Sequence, residues 1–249
     1  MVLDGQRLWA HGAGSVLAND VLSAVTSRIL KIAVIEDHAL MRDLLVKACR
    51  ETLPGAEVSG ARDAATGVTL CAAMQPDVLI LDLALPDGDG LDLLDDFIAA
   101  CQGCKIIGIS GYTDEFTLHR AMHSKLHGFV DKNEQTVDAL ADAIRTVLKG
   151  QRYLSPAVHD THLSLRNDPV SFDKILSERE QSLLTLFGRG LTNEQVASKV
   201  GLSELTVRNH RCRLMAKLDI RTSPELIRYA LEKGFTRPQP VTSRTAAKN

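Results

Sequence analysis

Polar residues that could do chemistry stand at the ends of apolar runs. "VLILD" ends on Asp82, "ILKIAVIEDH" runs into Glu36 and Asp37, "KIIGIS" ends on Ser110, and "GFVDK" ends on Lys132. Carboxylates gathered in one cleft repel each other. A hard divalent cation relieves that repulsion, and Mg2+ favours a few carboxylates with carbonyls, waters and phosphate oxygens. A lysine and a hydroxyl at the same rim suit a phosphoryl group by charge and by hydrogen bond. A carboxylate can also be the nucleophile, forming an aspartyl phosphate. Each residue alone has an ordinary reading: an acid in a loop, a surface lysine, a capping serine. Their joint placement is what points to phosphoryl chemistry.

The elements that must position them follow from periodicity. The unbroken run before Asp82 reads as a strand buried on both faces. From residue 29, strand-like runs alternate with helical patterns at roughly 40–53, 63–74, 89–101, 113–124 and 134–149. The first helix places Leu40, Leu44, Leu45 and Ala48 on one face. Such alternation predicts an α/β fold, a doubly wound five-stranded parallel sheet with helices on both faces. These sheets bind ligands at the carboxyl ends of their strands, where the acids, Ser110 and Lys132 fall.

The chain has 249 residues, 45% of them apolar, which suits two modest domains. No stretch approaches the roughly 18–20 apolar residues of a membrane span, and the N-terminus lacks the pattern of a signal peptide. Five cysteines argue for a reducing, cytoplasmic setting. "CQGC", Cys101 and Cys104, has the spacing of a redox or zinc pair, but no second pair accompanies it. It is read as ordinary thiols near a helix end. Residues 1–172 carry 15 Lys+Arg against 23 Asp+Glu, net −8, while residues 173–249 carry 14 against 8, net +6. The basic back part suits a polyanionic partner.

That back part is helical throughout. "LSEREQSLLTLFGRG" opens with a capping box, Ser177 to Glu180. "TNEQVASKVG" caps on Thr192 or Asn193, the next helix on Ser203, and "TSPELIRYALEKG" on Ser223 with Pro224 in its first turn. Helices at 193–199 and 204–218 around a glycine turn predict a helix-turn-helix within an all-α four-helix domain. Val207, Leu214 and Leu218 should face its core, and Thr206, Asn209 and Arg213, flanked by Arg208, the opposite side. Arg, Asn and Thr on one face can pair with phosphates and read base edges. A solvated helix face is the ordinary alternative; with this helix in a DNA groove, Arg208 and Asn209 would lie nearest the bases and Thr206 near a phosphate. Arg211 and Arg213 reach toward the flanking backbone, and His210 packs, contacts phosphate, or does both. Leu226, Ile227, Ala230 and Leu231 exceed what one small core needs and are candidates for pairing two domains.

Residues 29–150 resemble the receiver domain of two-component response regulators. The resemblance rests on Glu36–Asp37, on Asp82–x–x–x–Pro86–x–x–x–Gly90, on Ser110 and on Phe129–x–x–Lys132. It implies that Asp82 is the phosphoacceptor and that Glu36, Asp37, Asp82 and the carbonyl of Ala84 hold Mg2+. It further implies that Ser110 and Lys132 bind the phosphoryl group and that Phe129 turns inward when Ser110 moves. Residues 175–235 resemble a LuxR-type helix-turn-helix domain through Leu176, Glu178, Glu180, Gly190, Asn193, Val196, Ala197, Leu202, Ser203, Thr206, Val207, His210, Lys217 and Leu218. Cys212 departs from that pattern where relatives place a polar or basic contact residue. Together the two parts resemble the NarL/FixJ type of response regulator.

The expected organisation is an N-terminal extension (1–28), a receiver (29–150), a linker with a short helix (151–174), the DNA-binding domain (175–235) and a polar, disordered tail (236–249). The resemblance implies a transcriptional regulator, not an enzyme in the usual sense. Its implied partners are a sensor histidine kinase, double-stranded DNA and a second copy of itself, joined on phosphorylation or on DNA. Two alternatives are an aspartyl-phosphate phosphohydrolase and a phosphorylation-independent DNA-binding regulator. The first usually needs an acid two residues after its nucleophile, where this chain has Ala84. The intact acid set with Ser110 and Lys132 argues against the second. "DGDG" as a calcium loop fails, because the twelfth position from Asp87 is Ile98 rather than Glu.

Overall fold

The computed structural model describes residues 29–134 and 137–237. The expected N-terminal extension, and the tail from residue 238, lie outside the described residues. Contacts divide the chain into two compact units. Among the described residues, one takes in those up to Thr113 and Arg120–His162, the other Asp114–His119 and those from Leu163 onward.

The first unit is built on β1 (Lys31–Ile35), β2 (Glu57–Ala61), β3 (Val78–Asp82), β6 (Lys105–Ser110), β7 (Gly128–Asp131) and β8 (Tyr153–Leu154), between which β4 (Ala84–Leu85) and β5 (Gly88–Asp89) form a separate hairpin. The sheet order is β2-β1-β3-β6-β7-β8, and every pairing in it is parallel. Five of these strands are the expected ones. The sixth is the two-residue β8, which pairs Gly128 with Tyr153 and Phe129 with Leu154. Its shortness hides it from any reading by periodicity. Strand order reverses between β1 and β3, and a cleft opens at the carboxyl ends there. Register aligns Ile35 with Leu81, Asp82 with Ile109, and Ser110 with Asp131. The residues following these positions therefore reach one edge together.

Helices α1 (Ala39–Thr52), α2 (Ala64–Met74), α3 (Leu94–Ala100), α4 (Glu115–His123) and α5 (Val137–Leu148) follow the strands in turn. On α1 the buried stripe is Leu45, Ala48 and Cys49, whereas Leu40 and Leu44 are exposed. The apolar face is thus rotated from the expected one. Gly67 lets α2 lie close to β1, since a Cβ there would stand 2.9 Å from Ile35 Cδ1. α3 starts later than expected because Asp89 Oδ1 accepts the Leu91 N–H (2.9 Å) and holds a turn ahead of it.

The stretch read as a linker is mostly helical, with α6 (Pro156–Asn167) and the short α7 (Phe172–Ile175). Then come α8 (Glu178–Gly188), α9 (Asn193–Val200), α10 (Glu204–Lys217) and α11 (Ser223–Glu232). Capping boxes start three of them: Ser177 with Glu180, Thr192 with Gln195, and Thr222 with Glu225. The α11 cap is therefore Thr222 rather than Ser223. Ser203 caps α10, accepting the Thr206 N–H at 3.1 Å. Leu183, Leu184, Phe187, Val196, Val207, Leu214, Leu226 and Ala230 are fully buried. Phe172 and Phe235 add an edge-to-face pair at 5.0 Å, and Phe116 stacks on Phe235 at 4.1 Å. Order continues past residue 235, because Thr236 is buried and its N–H donates to the Ala230 carbonyl (3.3 Å).

Two of the expected pairing residues belong to this core. Leu226 and Ala230 are 0% exposed, Ile227 is half-buried, and Leu231 is 40% exposed. The cause is Gly188, where a Cβ would meet Ala230 Cβ at 2.6 Å and Thr236 Cγ2 at 2.8 Å. A bare backbone on α8 lets α11 approach closely enough for one small core to absorb both side chains. Overpacking typically costs about 1–3 kcal/mol. Gly188→Ala is expected to lower the stability of the second unit by about that much, read as a lower urea midpoint at unchanged slope.

Candidate functional site

The carboxyl edge of the sheet gathers Glu36, Asp37, Asp82, Ser110 and Lys132 from β1, β3, β6 and β7. Carboxylate oxygens of Glu36, Asp37 and Asp82 all lie within 4.8 Å of one another. Glu36 and Asp82 are 1% and 2% exposed, and Asp37 faces solvent. Lys132 follows β7 directly, and its Nζ stands 2.7 Å from Glu36 Oε2 and 2.8 Å from Asp82 Oδ2. Asp82 Oδ1 accepts the Ala84 N–H at 2.9 Å, and Glu36 Oε1 accepts the His38 N–H at 3.3 Å. Glu36 Oε2 meets the ammonium as an ion pair out of hydrogen-bond alignment and is left with no other partner.

The electrostatics follow from burial. Burial pushes the Glu36 carboxyl above its ordinary range, the Lys132 contact pulls it back, and the nearby Asp82 charge pushes it up again. Burial also disfavours the Lys132 ammonium, but Asp82 and Glu36 together outweigh it and hold that group above its usual value. Three clustered carboxylates, one carrying a buried oxygen without a hydrogen bond, are a donor set that fits a hard divalent cation. Ala84 sits half-buried at the rim, two residues past Asp82.

Ser110 is fully buried, and its Oγ accepts the Tyr112 N–H at 3.0 Å. Phe129 is buried within β7. The contacts of three neighbours escape a reading of the sequence. A Cβ on Gly90 would stand 2.6 Å from the Asp82 carbonyl oxygen and 2.8 Å from Leu83 Cα. The glycine is thus a condition for the backbone that carries Asp82. Asp87 accepts the Ala64 and Ala65 N–H groups at 3.0 Å each and so caps α2. Asp131 is buried and accepts the Asn133 N–H (2.8 Å) and side-chain amide (2.9 Å), bracing the turn that starts at Lys132. Gly90 and Asp131 were visible as residues of their motifs, but their contacts were not.

On α10, Arg208, Asn209 and Arg213 are exposed, and Thr206 and His210 are half-buried. The Thr206 hydroxyl is shared with Ser203 Oγ at 2.7 Å. Arg211 turns inward: its Nη1 donates to Asn193 Oδ1 at 3.1 Å, and its guanidinium lies 4.7 Å from the Phe187 ring centre. Burial lowers its pKa. At the far end of α10, Lys217 pairs with Glu180 at 2.8 Å and donates to the Ile175 carbonyl at 3.2 Å. Among the described residues, no helix is long and apolar enough to cross a membrane.

Comparison with known proteins agrees with this division of labour. The family model "Response regulator receiver domain" matches residues 32–145, and "Bacterial regulatory proteins, luxR family" matches residues 174–230. The oxygen regulatory protein NreC of Staphylococcus carnosus is 32% identical over 216 residues, covering 82% of this chain and 98% of the relative. NreC of Staphylococcus aureus is 30% identical over 214 residues, with the same coverage of 82% and 98%. RcsB from Salmonella enterica serovar Typhimurium, solved bound to promoter P1flhDC with the phosphomimetic BeF3−, matches in fold. Its TM-score is 0.58 at 21% identity, covering 83% of this chain and 100% of that one.

The Lys132 pairing has a measurable consequence. Removing one partner of a buried ion pair costs about 3–5 kcal/mol, because the other charge stays buried. Lys132→Ala is expected to lower unfolding free energy by about that amount at neutral pH in chelator. Glu36 has a raised folded pKa, so the folded state binds its proton more readily than the unfolded chain, and stability falls as pH rises through that window. The deficit of the variant should therefore shrink as pH is lowered and Glu36 is protonated. Urea titrations of both proteins across the acid range check this. A pH-independent deficit would contradict the assignment of Lys132 as counter-charge.

Proposed function

The chain belongs to the response regulators that join a receiver domain to a LuxR-type DNA-binding domain, and from that membership we propose that phosphorylation of Asp82 by a partner sensor histidine kinase switches its binding to DNA. The observation that carries the reading is a nearly buried carboxylate at a strand tip, 2.8 Å from a lysine and beside two further acids. A carboxylate oxygen of Asp82 attacks the phosphorus of a phosphohistidine, the phosphorus–nitrogen bond breaks, and an acyl phosphate forms. The Ala84 N–H holds Asp82 Oδ1 and so fixes the plane of the nucleophile. Lys132 is placed to follow the incoming phosphoryl oxygens with its charge. Ser110 can donate its hydroxyl to them once its contact with the Tyr112 N–H is exchanged. Glu36, Asp37, Asp82 and the Ala84 carbonyl would hold Mg2+, which when bound neutralises charge on the transferring group.

Coupling follows from differential affinity: the covalent phosphate favours the conformation in which Ser110 and Lys132 contact it. Phe129 lies on the strand that delivers Lys132 and moves into space that Ser110 leaves. Asp114, four residues after Ser110, begins the segment Asp114–His119 that groups with the second unit. A change at Ser110 thus has a short covalent route to that unit. The outcome is a homodimer, a released DNA-binding surface, or both.

DNA is read by α10 in the major groove, its N-terminal half nearest the bases. Arg208 and Asn209, exposed in that half, contact base edges, and Arg213 contacts the backbone. Thr206 and His210 support phosphate contacts from the rim. Arg211 holds the domain together instead, and this revises its expected part. Leu231 and Ile227 are the apolar residues of α11 left to pair two domains.

Asp82 should take up phosphate from a small phosphodonor only with Mg2+ present, and Asp82→Asn should take up none. Incorporation at wild-type stoichiometry in that variant would overturn the assignment. A phosphoryl mimic should raise DNA affinity or shift sedimentation toward a dimer, and no change in either would remove the proposed coupling. Asn209→Ala and Arg208→Ala should each cost about 1–3 kcal/mol on the preferred site and relax one base position. Arg213→Ala should weaken all sequences alike and flatten the salt dependence. Binding measured over base substitutions and salt separates these cases.

A further inference from the structure

Three cysteines unused by the phosphoryl site meet at the opposite edge of the sheet. Cys101 follows α3 directly, Cys104 precedes β6, and Cys71 lies on α2. The ends of the two helices are tied together, since Gln75 Nε2 donates to the Ala100 carbonyl at 2.9 Å. The Cys101 sulfur interacts electrostatically with both Cys104 and Cys71. All three are buried, with Cys104 at 7% the most exposed. Between Cys101 and Cys104, Gln102 and Gly103 form a turn, and Gly103 has φ +79°, the conformation of the third residue of a type II turn. The ends of such a turn lie within about 7 Å, and a disulfide needs a Cα separation of about 4.4–6.8 Å.

We propose that Cys101 and Cys104 form a reversible oxidation site, closing a disulfide across this turn when the protein meets a peroxide. The Cys101 thiolate attacks one oxygen of hydrogen peroxide, giving a sulfenic acid and, after proton transfer, one water. The Cys104 sulfur then attacks the Cys101 sulfur, and hydroxide leaves with the Cys104 proton as a second water. Both sulfurs are oxidised and the peroxide is reduced. The surroundings select Cys101 as the attacking sulfur. The neighbouring Cys104 and Cys71 lower its pKa, whereas their own thiols are raised, and the Cys104 S–H donates to the Lys105 carbonyl at 3.7 Å. At rest the Cys101 S–H donates to the Phe97 carbonyl at 3.0 Å, and this contact is exchanged when the thiolate forms. Cys49 provides an internal contrast: buried outside this cluster, its thiol is pushed up to about 12 by burial.

The test uses the full chain carrying Cys212→Ser, because Cys212 is exposed and would bridge two molecules. The protein is treated with hydrogen peroxide, alkylated under denaturing conditions, and mapped by peptide mass spectrometry. The expected result is loss of two hydrogens across Cys101 and Cys104, with Cys49 and Cys71 alkylated, and full reversal by dithiothreitol. Cys71→Ser should keep the bridge. Cys104→Ser should lose it and leave a sulfenic acid on Cys101 that dimedone traps. Complete alkylation of every cysteine, at peroxide doses that oxidise Cys212 in the wild type, would overturn the proposal. So would a bridge joining Cys71 to Cys101 instead.

Discussion

Two carboxylates cannot be buried side by side without an opposing charge, and the first unit is arranged around that constraint. Glu36 and Asp82 are almost wholly removed from water, and Lys132 stands within 2.8 Å of both. Desolvating an ion costs several kcal/mol even after relaxation, so the cluster persists only because three strands end together. The reversal of strand order between β1 and β3 brings the acids together, and β7 supplies the lysine from two strands away. Smaller features serve the same end. Gly90 leaves room beside the Asp82 carbonyl, Gly67 lets α2 close over Ile35, and Asp131 braces the turn at Lys132.

Much of this was legible in the sequence because it is local. Apolar runs ending in polar residues locate the strand tips, and a doubly wound sheet places those tips on one edge. Fine placement within the helices was not. Leu40 and Leu44 satisfy the same helical spacing as Leu45 and Ala48, yet α1 turns only the latter two inward, together with Cys49. Several neighbouring faces of one helix can look apolar, and the packing partner decides among them. Contacts between distant positions were equally hidden. Asp87 caps a helix that begins more than twenty residues earlier, and Cys71 meets Cys101 across thirty.

The second unit shows the same limit from the other side. Its capping boxes were readable from spacing, and α8 and α9 start where Ser177 and Thr192 announce them. The apolar residues of α11 seemed too many for a small domain. Gly188 removes the surplus by letting the helices approach, so Leu226 and Ala230 are core and only Leu231 is well exposed. Arg211 makes a similar point about charge: a cation on the helix proposed to face DNA can belong to the domain's own scaffold, here Asn193 and Phe187.

The resident lysine also sets a rule about valence. Glu36, Asp37 and Asp82 carry three negative charges when ionised, and Lys132 returns one positive charge, leaving a deficit of two. A monovalent ion would leave the cleft charged and would compete with an ammonium already held in place by the fold. A small dication would close the deficit while the lysine stays, and the phosphoryl group proposed to arrive there would bring the anionic oxygens to which the lysine can turn. On that balance the cleft would discriminate among ions by charge before coordination geometry enters, and its selectivity would begin in a side chain that is not among the proposed metal ligands.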